Sequence, residues 1–321
     1  MTIKRIAVLT TGGDAPGMNA AIRGVVRCAL SKDIEVMGIV RGWWGLINDD
    51  VKPMDSRSVS GIINLGGTIL KTARCKEFFT KEGQLRAYQT IKRHAIDALV
   101  VIGGNGSFTA AHSFYKNFKV PCVGVPVSID NDVNGIDLTI GSDTAVNTAL
   151  MAVDNIRDTA TSMERVYVVE VMGRDSGYIA LSVALAGGCE DVIIPEKKPN
   201  INKICDSIVE GNIRGKISWI IIVAEGAGKA VDIAKKINEL TGLETRSIVL
   251  GHIQRGGRPT AFSRTIALIL AQGAVDCIVK GKFNKVVGIS DSKIITVDFK
   301  TAIKKKKLKI VKFYSLLEKS R

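Results

Sequence analysis

Short apolar runs recur along the chain. Each is broken by glycine, aspartate or asparagine before a stretch of helical periodicity begins. In the first half the runs are Ile3–Thr10 (IKRIAVLT), Glu35–Val40 (EVMGIV), Ala98–Ile102 and Pro121–Val127. In the second half they are Arg165–Met172 (RVYVVEVM), Asp191–Pro195, Trp219–Ala224 (WIIIVA), Arg246–Leu250 and Val286–Ser290. The spacing predicts strands there. It predicts helices up to about Leu30, over Glu82–His94, up to about Asn117, and over Ser142–Asp158, Tyr178–Ala186, Lys203–Asn212 and Ala230–Leu240, then from after Gly257 to Val279. Strand, turn and helix in repeated order predict an α/β fold of mostly parallel sheets with helices on both faces. Ligands in such sheets bind beyond the carboxyl ends of the strands, where the glycine-rich and charged motifs are expected to fall.

Composition narrows the functional classes. The 321 residues suffice for two domains, and 46% hydrophobic content argues against disorder. No apolar run approaches the roughly 20 residues that span a bilayer, and MTIKRIAVLT does not read as a signal peptide. Six scattered cysteines (Cys28, Cys75, Cys122, Cys189, Cys205, Cys277) form no CxxC pair, and with three histidines they do not suggest a zinc site. Most of them read as buried thiols in a reducing cytoplasm. A net charge of +14 suits nucleic acid, an anionic membrane or small phosphorylated substrates. With only 5% aromatics and no basic run interleaved with stacking residues, nucleic acid ranks last. The densest basic run, Lys304–Lys307 with Lys309 and Lys312 beyond it, reads as a solvated face.

Four motifs carry candidate chemistry. TTGGDAPGMNAAIRG follows the first strand; its glycines let backbone N–H groups approach an anion at a helix N-terminus, although a plain tight turn uses the same residues. Arg23 and Arg27 on that helix share a face, which by itself indicates two solvated arginines. VVIGGNGSFTA repeats the strand-to-glycine theme, with Asn105 where a magnesium-phosphate site favours a carboxylate. VPVSIDNDVNG brings Asp130 and Asp132 to one side of an extended segment beside Ser128, which suits a general base and magnesium, or an Asx-rich surface loop. The fourth is basic: Arg74 after Gly66-Gly67-Thr68, Arg174 after Met172-Gly173, His252 and Arg255 in GHIQRGG, and Arg165 and Arg246 at strand starts. Guanidinium forks match phosphate oxygens. Glu225 at the end of WIIIVAE reads equally as a sugar-hydroxyl acceptor or an exposed strand end.

Over nearly its whole length the chain resembles the bacterial ATP-dependent 6-phosphofructokinase family, through LTTGGDAPGMNAAIRGVVR, GGTILKTAR, DALVVIGGNGS, SIDNDV, VVEVMGR, LAGGCE and LGHIQRGG. The resemblance implies two Rossmann-like three-layer α/β/α domains: 1–140 plus about 258–307 for nucleotide, and 141–257 plus about 308–321 for sugar phosphate. It implies phosphoryl transfer from magnesium-ATP to the 1-hydroxyl of fructose 6-phosphate, in the cytoplasm, by a homotetramer whose active sites are shared between subunits, with neither nucleic acid nor membrane as partner. By motif, Asp130 is the general base, Asp132 assists, and Arg74 stabilises the transferring phosphoryl. Gly13, Trp43, Arg74, Cys75, Gly104, Asn105, Gly106 and Ser107 line the nucleotide, with Trp43 in the place of a usual tyrosine. Ser128, Ile129, Met172, Gly173, Arg174, Glu225, His252 and Arg255 hold the sugar. Arg165 and Arg246 reach the 6-phosphate across a subunit interface. Arg23, Arg27, Arg157, Gly188, Glu190, Arg214 and Lys216 match an effector site for ADP or phosphoenolpyruvate, although Ser56 replaces one arginine of that pattern and Arg57 stands next to it.

Two departures bear on catalysis. The family's magnesium aspartate is Asn105, which keeps a carbonyl oxygen but loses the charge, so weakened magnesium use is expected. A glycine of the family is Val127, whose bulk disfavours a positive φ. Pyrophosphate-using relatives carry lysine at 127 and aspartate at 106. Val127 and Gly106 therefore favour ATP over that alternative, and the other alternative is a weakened regulatory or binding relative.

Overall fold

The computed structural model describes residues 3–308 and 310–319. Lys309 of the basic run, and Ser320 and Arg321 of the segment assigned to the smaller domain, lie outside the described residues. In chain order the strands are β1 (Arg5–Thr10), β2 (Glu35–Ile39), β3 (Val51–Met54), β4 (Ala98–Gly103), β5 (Cys122–Ser128), β6 (Ile140–Gly141), β7 (Val166–Val171), β8 (Asp191–Ile193), β9 (Trp219–Ala224), β10 (Thr245–Val249), β11 (Lys285–Ser290) and β12 (Lys293–Asp298). The helices are α1 (Met18–Leu30), α2 (Trp43–Ile47), α3 (Lys81–Arg93), α4 (Asn105–Phe118), α5 (Ser142–Ser162), α6 (Tyr178–Ala186), α7 (Ile201–Ile213), α8 (Ala230–Thr241), α9 (Ala261–Val279), α10 (Phe299–Ala302) and α11 (Ile310–Lys319).

The chain divides into two compact units, one running to Thr144 and resuming over Arg255–Lys306, the other covering Ala145–Gln254 and resuming at Lys307. The first unit holds an eight-stranded sheet in the order β12-β11-β5-β4-β1-β2-β3, with β6 paired to β5. Its interior pairings are parallel, and the two edge strands β3 and β12 are antiparallel. The second unit holds a parallel four-stranded sheet, β10-β7-β9-β8.

Apolar runs became the central strands because both of their faces are covered. All six residues of β4 and of β9 are buried. One core cluster of the first unit gathers Trp43, Phe78, Phe108, Phe114 and Phe299; that of the second gathers Val166, Val168, Ile221, Val223 and Ile237. The hydrophobic pattern does not mark the edge strands β3 and β12. β3 carries Pro53, which only an edge tolerates, and β12 is largely exposed. The 19-residue α9 corrects the statement about apolar runs, since it has the length and composition of a spanning helix. It packs against α1 instead. A Cβ on Gly24 would lie 2.6 Å from the Cβ of Ala271, so glycine lets the two helices touch.

Candidate active site

In the first unit the carboxyl ends of β1 and β4 lie side by side, with Thr10 opposite Ile102. The turns beyond them are tied together. Thr11 N donates to Ile102 O at 3.0 Å, and Ser107 Oγ donates to Thr11 O at 2.9 Å. A Cβ on Gly103 would stand 2.3 Å from Ser107 Oγ and 2.5 Å from Thr11 O, so this approach requires glycine. α4 starts at Asn105, and its first N–H groups open onto the turn, an arrangement that suits an anion. Gly106 is exposed, with open space where a Cβ would be. Gly13 lies under Arg255, whose Nη1 donates to Asp14 O at 3.2 Å.

The loop that carries Arg74 is fastened from both sides. Asn19 Nδ2 donates to Leu65 O and Gly66 O (3.2 and 3.1 Å), while its Oδ1 accepts from Ile69 N at 2.8 Å. Thr10 Oγ1 donates to Lys71 O at 2.7 Å, and Thr72 Oγ1 donates to Gly12 O at 2.7 Å. Arg74 emerges exposed from this anchored loop, and burial pushes the adjacent Cys75 thiol up.

The end of β5 delivers the carboxylates. Ser128 Oγ donates to Asp132 Oδ1 at 2.9 Å and accepts from Asp130 N at 3.2 Å. Asp130 and Ile129 are buried, and Asn131 between the aspartates sits in the left-handed region at φ 48. From the α4 side, Asn105 Nδ2 donates to Asp132 Oδ2 at 2.9 Å and to Asp132 O at 3.1 Å. Both of these oxygens only accept, which fixes the orientation of the amide. Asn105 Oδ1 is buried and has no hydrogen-bond partner among the described residues. The motifs of β4 and β5, 27 residues apart, therefore meet directly at Asp132.

In the second unit Gly173 N and Arg174 N both donate to Glu225 Oε1, at 3.2 and 2.9 Å. A Cβ on Gly226 would meet Arg174 O at 1.8 Å. Met172 N donates to Gln254 Oε1 at 3.3 Å, while Arg174, Glu225 and His252 are exposed. This group lies beyond the carboxyl ends of β7, β9 and β10. Arg165 and Arg246 do not join it. They lie at the amino ends of β7 and β10, which corrects the expectation that every motif falls at a carboxyl end. There Glu244 pairs with both. Arg165 Nε is 2.8 Å from Glu244 Oε2, although its N–H does not point along that line, and Arg246 Nη2 contacts Oε1. Burial raises the Glu244 carboxyl, and the two arginines outweigh it to hold it below its ordinary value.

A separate cavity of about 260 Å³ in the second unit is lined by Glu190, Glu210, Arg214, Lys216 and Trp219. Lys216 Nζ lies 2.8 Å from Glu190 Oε1 and over the Trp219 ring. Arg157 donates to the carbonyls of Gly187 and Gly188. In the first unit Arg23 on α1 donates to Val59 O at 2.9 Å, and burial with the nearby Arg27 charge lowers its guanidinium.

The family model described as Phosphofructokinase matches residues 5–278. The chain belongs to the phosphofructokinase family. It is 53% identical over 301 residues, 94% of each chain, to the ATP-dependent 6-phosphofructokinase of Clostridium botulinum (strain Hall). Its structure resembles phosphofructokinase from Saccharomyces cerevisiae, with a TM-score of 0.87 and 35% identity over 99% of this chain. The chain spans about half (47%) of that longer yeast chain. A pyrophosphate-dependent phosphofructokinase from Marinobacter aquaeolei shares the fold, with a TM-score of 0.83 at 22% identity over 99% of this chain and 91% of that one.

Three departures from the phosphofructokinase pattern take on a physical meaning. Val127 is a buried residue of β5 and has no positive φ, so its bulk strains no turn. Trp43, expected beside the nucleotide, is instead a core residue. It is 4% exposed, stacks on Phe78 at 4.2 Å and meets Phe114 edge-on, which leaves little face for a base. The accessible indole is Trp44, with Arg41 over its ring. Ser56 and Arg57 are both exposed.

Proposed function

We propose that this chain transfers the γ-phosphoryl of ATP to the 1-hydroxyl of fructose 6-phosphate, the committed step of glycolysis. The observation that carries the reading is the buried Asp130 beside an Asp132 that is clamped by Ser128 and Asn105, where the glycine turns of β1 and β4 meet. Asp130 takes the proton of the sugar hydroxyl as that oxygen attacks phosphorus, which requires only a correctly placed carboxylate. Arg74 lies against the negative charge of the transferring group. The N–H groups at the start of α4, with Gly104 and Gly106, receive the nucleotide phosphates. Gly106 leaves open space beside the turn, and the ATP-dependent relatives that are 53% identical over 94% of the chain support ATP over pyrophosphate.

Magnesium fits the residues present. Asn105 Oδ1 is an orphaned acceptor, and the amide nitrogen of the same side chain holds the carboxylate of Asp132. Among the described residues no cluster of three or more His, Cys, Asp or Glu could hold a metal alone, but magnesium binds through one or two protein oxygens plus substrate phosphates and water. When bound, it neutralises phosphate charge. Asn105 and Asp132 are the groups that would hold it.

The sugar is taken by Gly173, Arg174, Glu225 and His252. Arg165 and Arg246 sit at the opposite end of the same strands, roughly 20 Å away for six residues of strand. One sugar phosphate does not span that length within one chain, which supports active sites shared between subunits; the assembly proposed for them is a homotetramer. The cavity at Glu190, Arg214 and Lys216 suits a phosphorylated effector such as ADP or phosphoenolpyruvate, and the enzyme works in the cytoplasm. The test is formation of fructose 1,6-bisphosphate by purified protein, with magnesium titrated at fixed ATP and fructose 6-phosphate. Turnover of roughly 1–100 per second supports the reading. Turnover near background in excess magnesium overturns it in favour of a binding relative.

A further inference from the structure

Lys306 does not behave as part of a solvated run. Lys304, Lys305 and Lys307 are exposed, whereas Lys306 folds inward. Its Nζ donates to Asn131 Oδ1 at 3.2 Å and to Asp137 O at 3.1 Å. Asn131 is the residue between Asp130 and Asp132, buried and held at φ 48. The segment around Lys306 follows the same loop. Lys305 bridges Val133 in antiparallel fashion, Asn134 N donates to Ala302 O at 3.1 Å, and Asn134 Nδ2 donates to Thr301 O at 3.1 Å.

We propose that Lys306 is a positioning residue, which holds Asn131 and thereby sets the Asp130 and Asp132 carboxylates for phosphoryl transfer. The proposal rests on the phosphoryl-transfer reading above. Turning this ammonium inward has a cost: burial lowers it to about 8, against the opposing pull of Asp137 and Asp132, and this desolvation offsets part of what its hydrogen bonds contribute. It does not satisfy an otherwise orphaned group. Asn131 Oδ1 also accepts from Thr139 N at 3.1 Å, and Asp137 O also accepts from Asn131 Nδ2 at 2.9 Å. What the ammonium adds is a link from the 301–306 segment to the strained residue between the two carboxylates. With Asn105 gripping Asp132 from α4, the turn is held from two sides.

The experiment compares the full-length wild type with Lys306→Met, Lys306→Arg and the controls Lys304→Ala, Lys305→Ala and Lys307→Ala. Readouts are kcat, KM for each substrate, thermal midpoint, and amide exchange over residues 131–139. Lys306→Met is expected to lower kcat by roughly ten- to a hundredfold, as a small misplacement of reacting groups does. KM for ATP stays within about twofold, the midpoint is unchanged or raised, and exchange at 131–139 quickens. Lys306→Arg recovers most of kcat, and the three controls match wild type. A kcat for Lys306→Met within about twofold of wild type, a midpoint that falls along with activity, or an equal loss in the controls overturns the proposal. If Lys306→Met gives no folded protein, Lys306→Gln replaces it, and wild-type kcat in that variant is equally fatal. An inactive wild type refutes the phosphoryl-transfer reading instead, and exchange at 131–139 then decides whether Lys306 holds the turn.

Discussion

Replacing Asn105 with aspartate restores the family's carboxylate and tests what the amide does. In the wild type, Asn105 Nδ2 sits 2.9 Å from Asp132 Oδ2. In Asn105→Asp a carboxylate oxygen takes that place, so a hydrogen bond to a charged acceptor, worth about 1.5–3 kcal/mol, becomes a like-charge contact. Two charges about 4 Å apart repel by about 4 kcal/mol near a protein surface. Both residues are only partly buried, so solvent screens much of this, and protonation of one carboxyl caps the rest. The net expectation without magnesium is a loss of about 2–3 kcal/mol, or roughly 3–5 °C in thermal midpoint for a chain of 321 residues at fixed protein concentration. Magnesium reverses the sign of the contact. The midpoint of Asn105→Asp therefore rises with added magnesium by more than that of wild type, and half-maximal activity needs less of the ion. Differential scanning fluorimetry in chelator and across a magnesium series, paired with initial rates, measures both. A variant as stable as wild type in chelator, or a deficit that magnesium leaves untouched, refutes the argument.

Other expectations follow from the same geometry. Asp130→Asn should lower kcat by about 10²–10⁴ with KM nearly unchanged, because a general base is removed and little else; steady-state kinetics in which KM carries the loss would contradict that role. Gly103→Ala forces a Cβ to 2.3 Å from Ser107 Oγ and 2.5 Å from Thr11 O. It should destabilise by about 1–3 kcal/mol in chemical denaturation and abolish activity, and a neutral result would mean that the two turns are not in contact. Burial pushes the Cys189 thiol up to about 12 and Cys122 higher still. An alkylating reagent at neutral pH should therefore modify the half-buried Cys28 and Cys75 first and reach Cys122 and Cys189 only on unfolding, as peptide mapping would report.

Much of the strand-and-helix order is local information. WIIIVA is apolar throughout and became β9 at the expected bounds, as Tyr178–Ala186 became α6. Glycines at the end of β4 and after β1 mark the turns because only a residue without a Cβ permits contacts as close as that of Gly103 with Thr11. The weak signals were the edges. β3 has a proline and β12 has an exposed pattern, and such segments become strands only once a neighbouring strand supplies its hydrogen bonds.

What composition and spacing could not express is which distant atoms meet. The order β12-β11-β5-β4-β1-β2-β3 is set by packing over the whole unit, and it alone brings Asn105 against Asp132. Two adjacent tryptophans look alike in a sequence, yet one stacks into the aromatic core and its neighbour is partly exposed, because successive side chains of α2 are turned about 100° from each other. Four consecutive lysines are likewise equivalent until residues 301–306 lie along the 131–137 loop and turn a single ammonium inward. Local periodicity records how each residue meets its own helix or strand. Long-range contacts depend on desolvation and on hydrogen bonds that exist only when the folded chain closes around them.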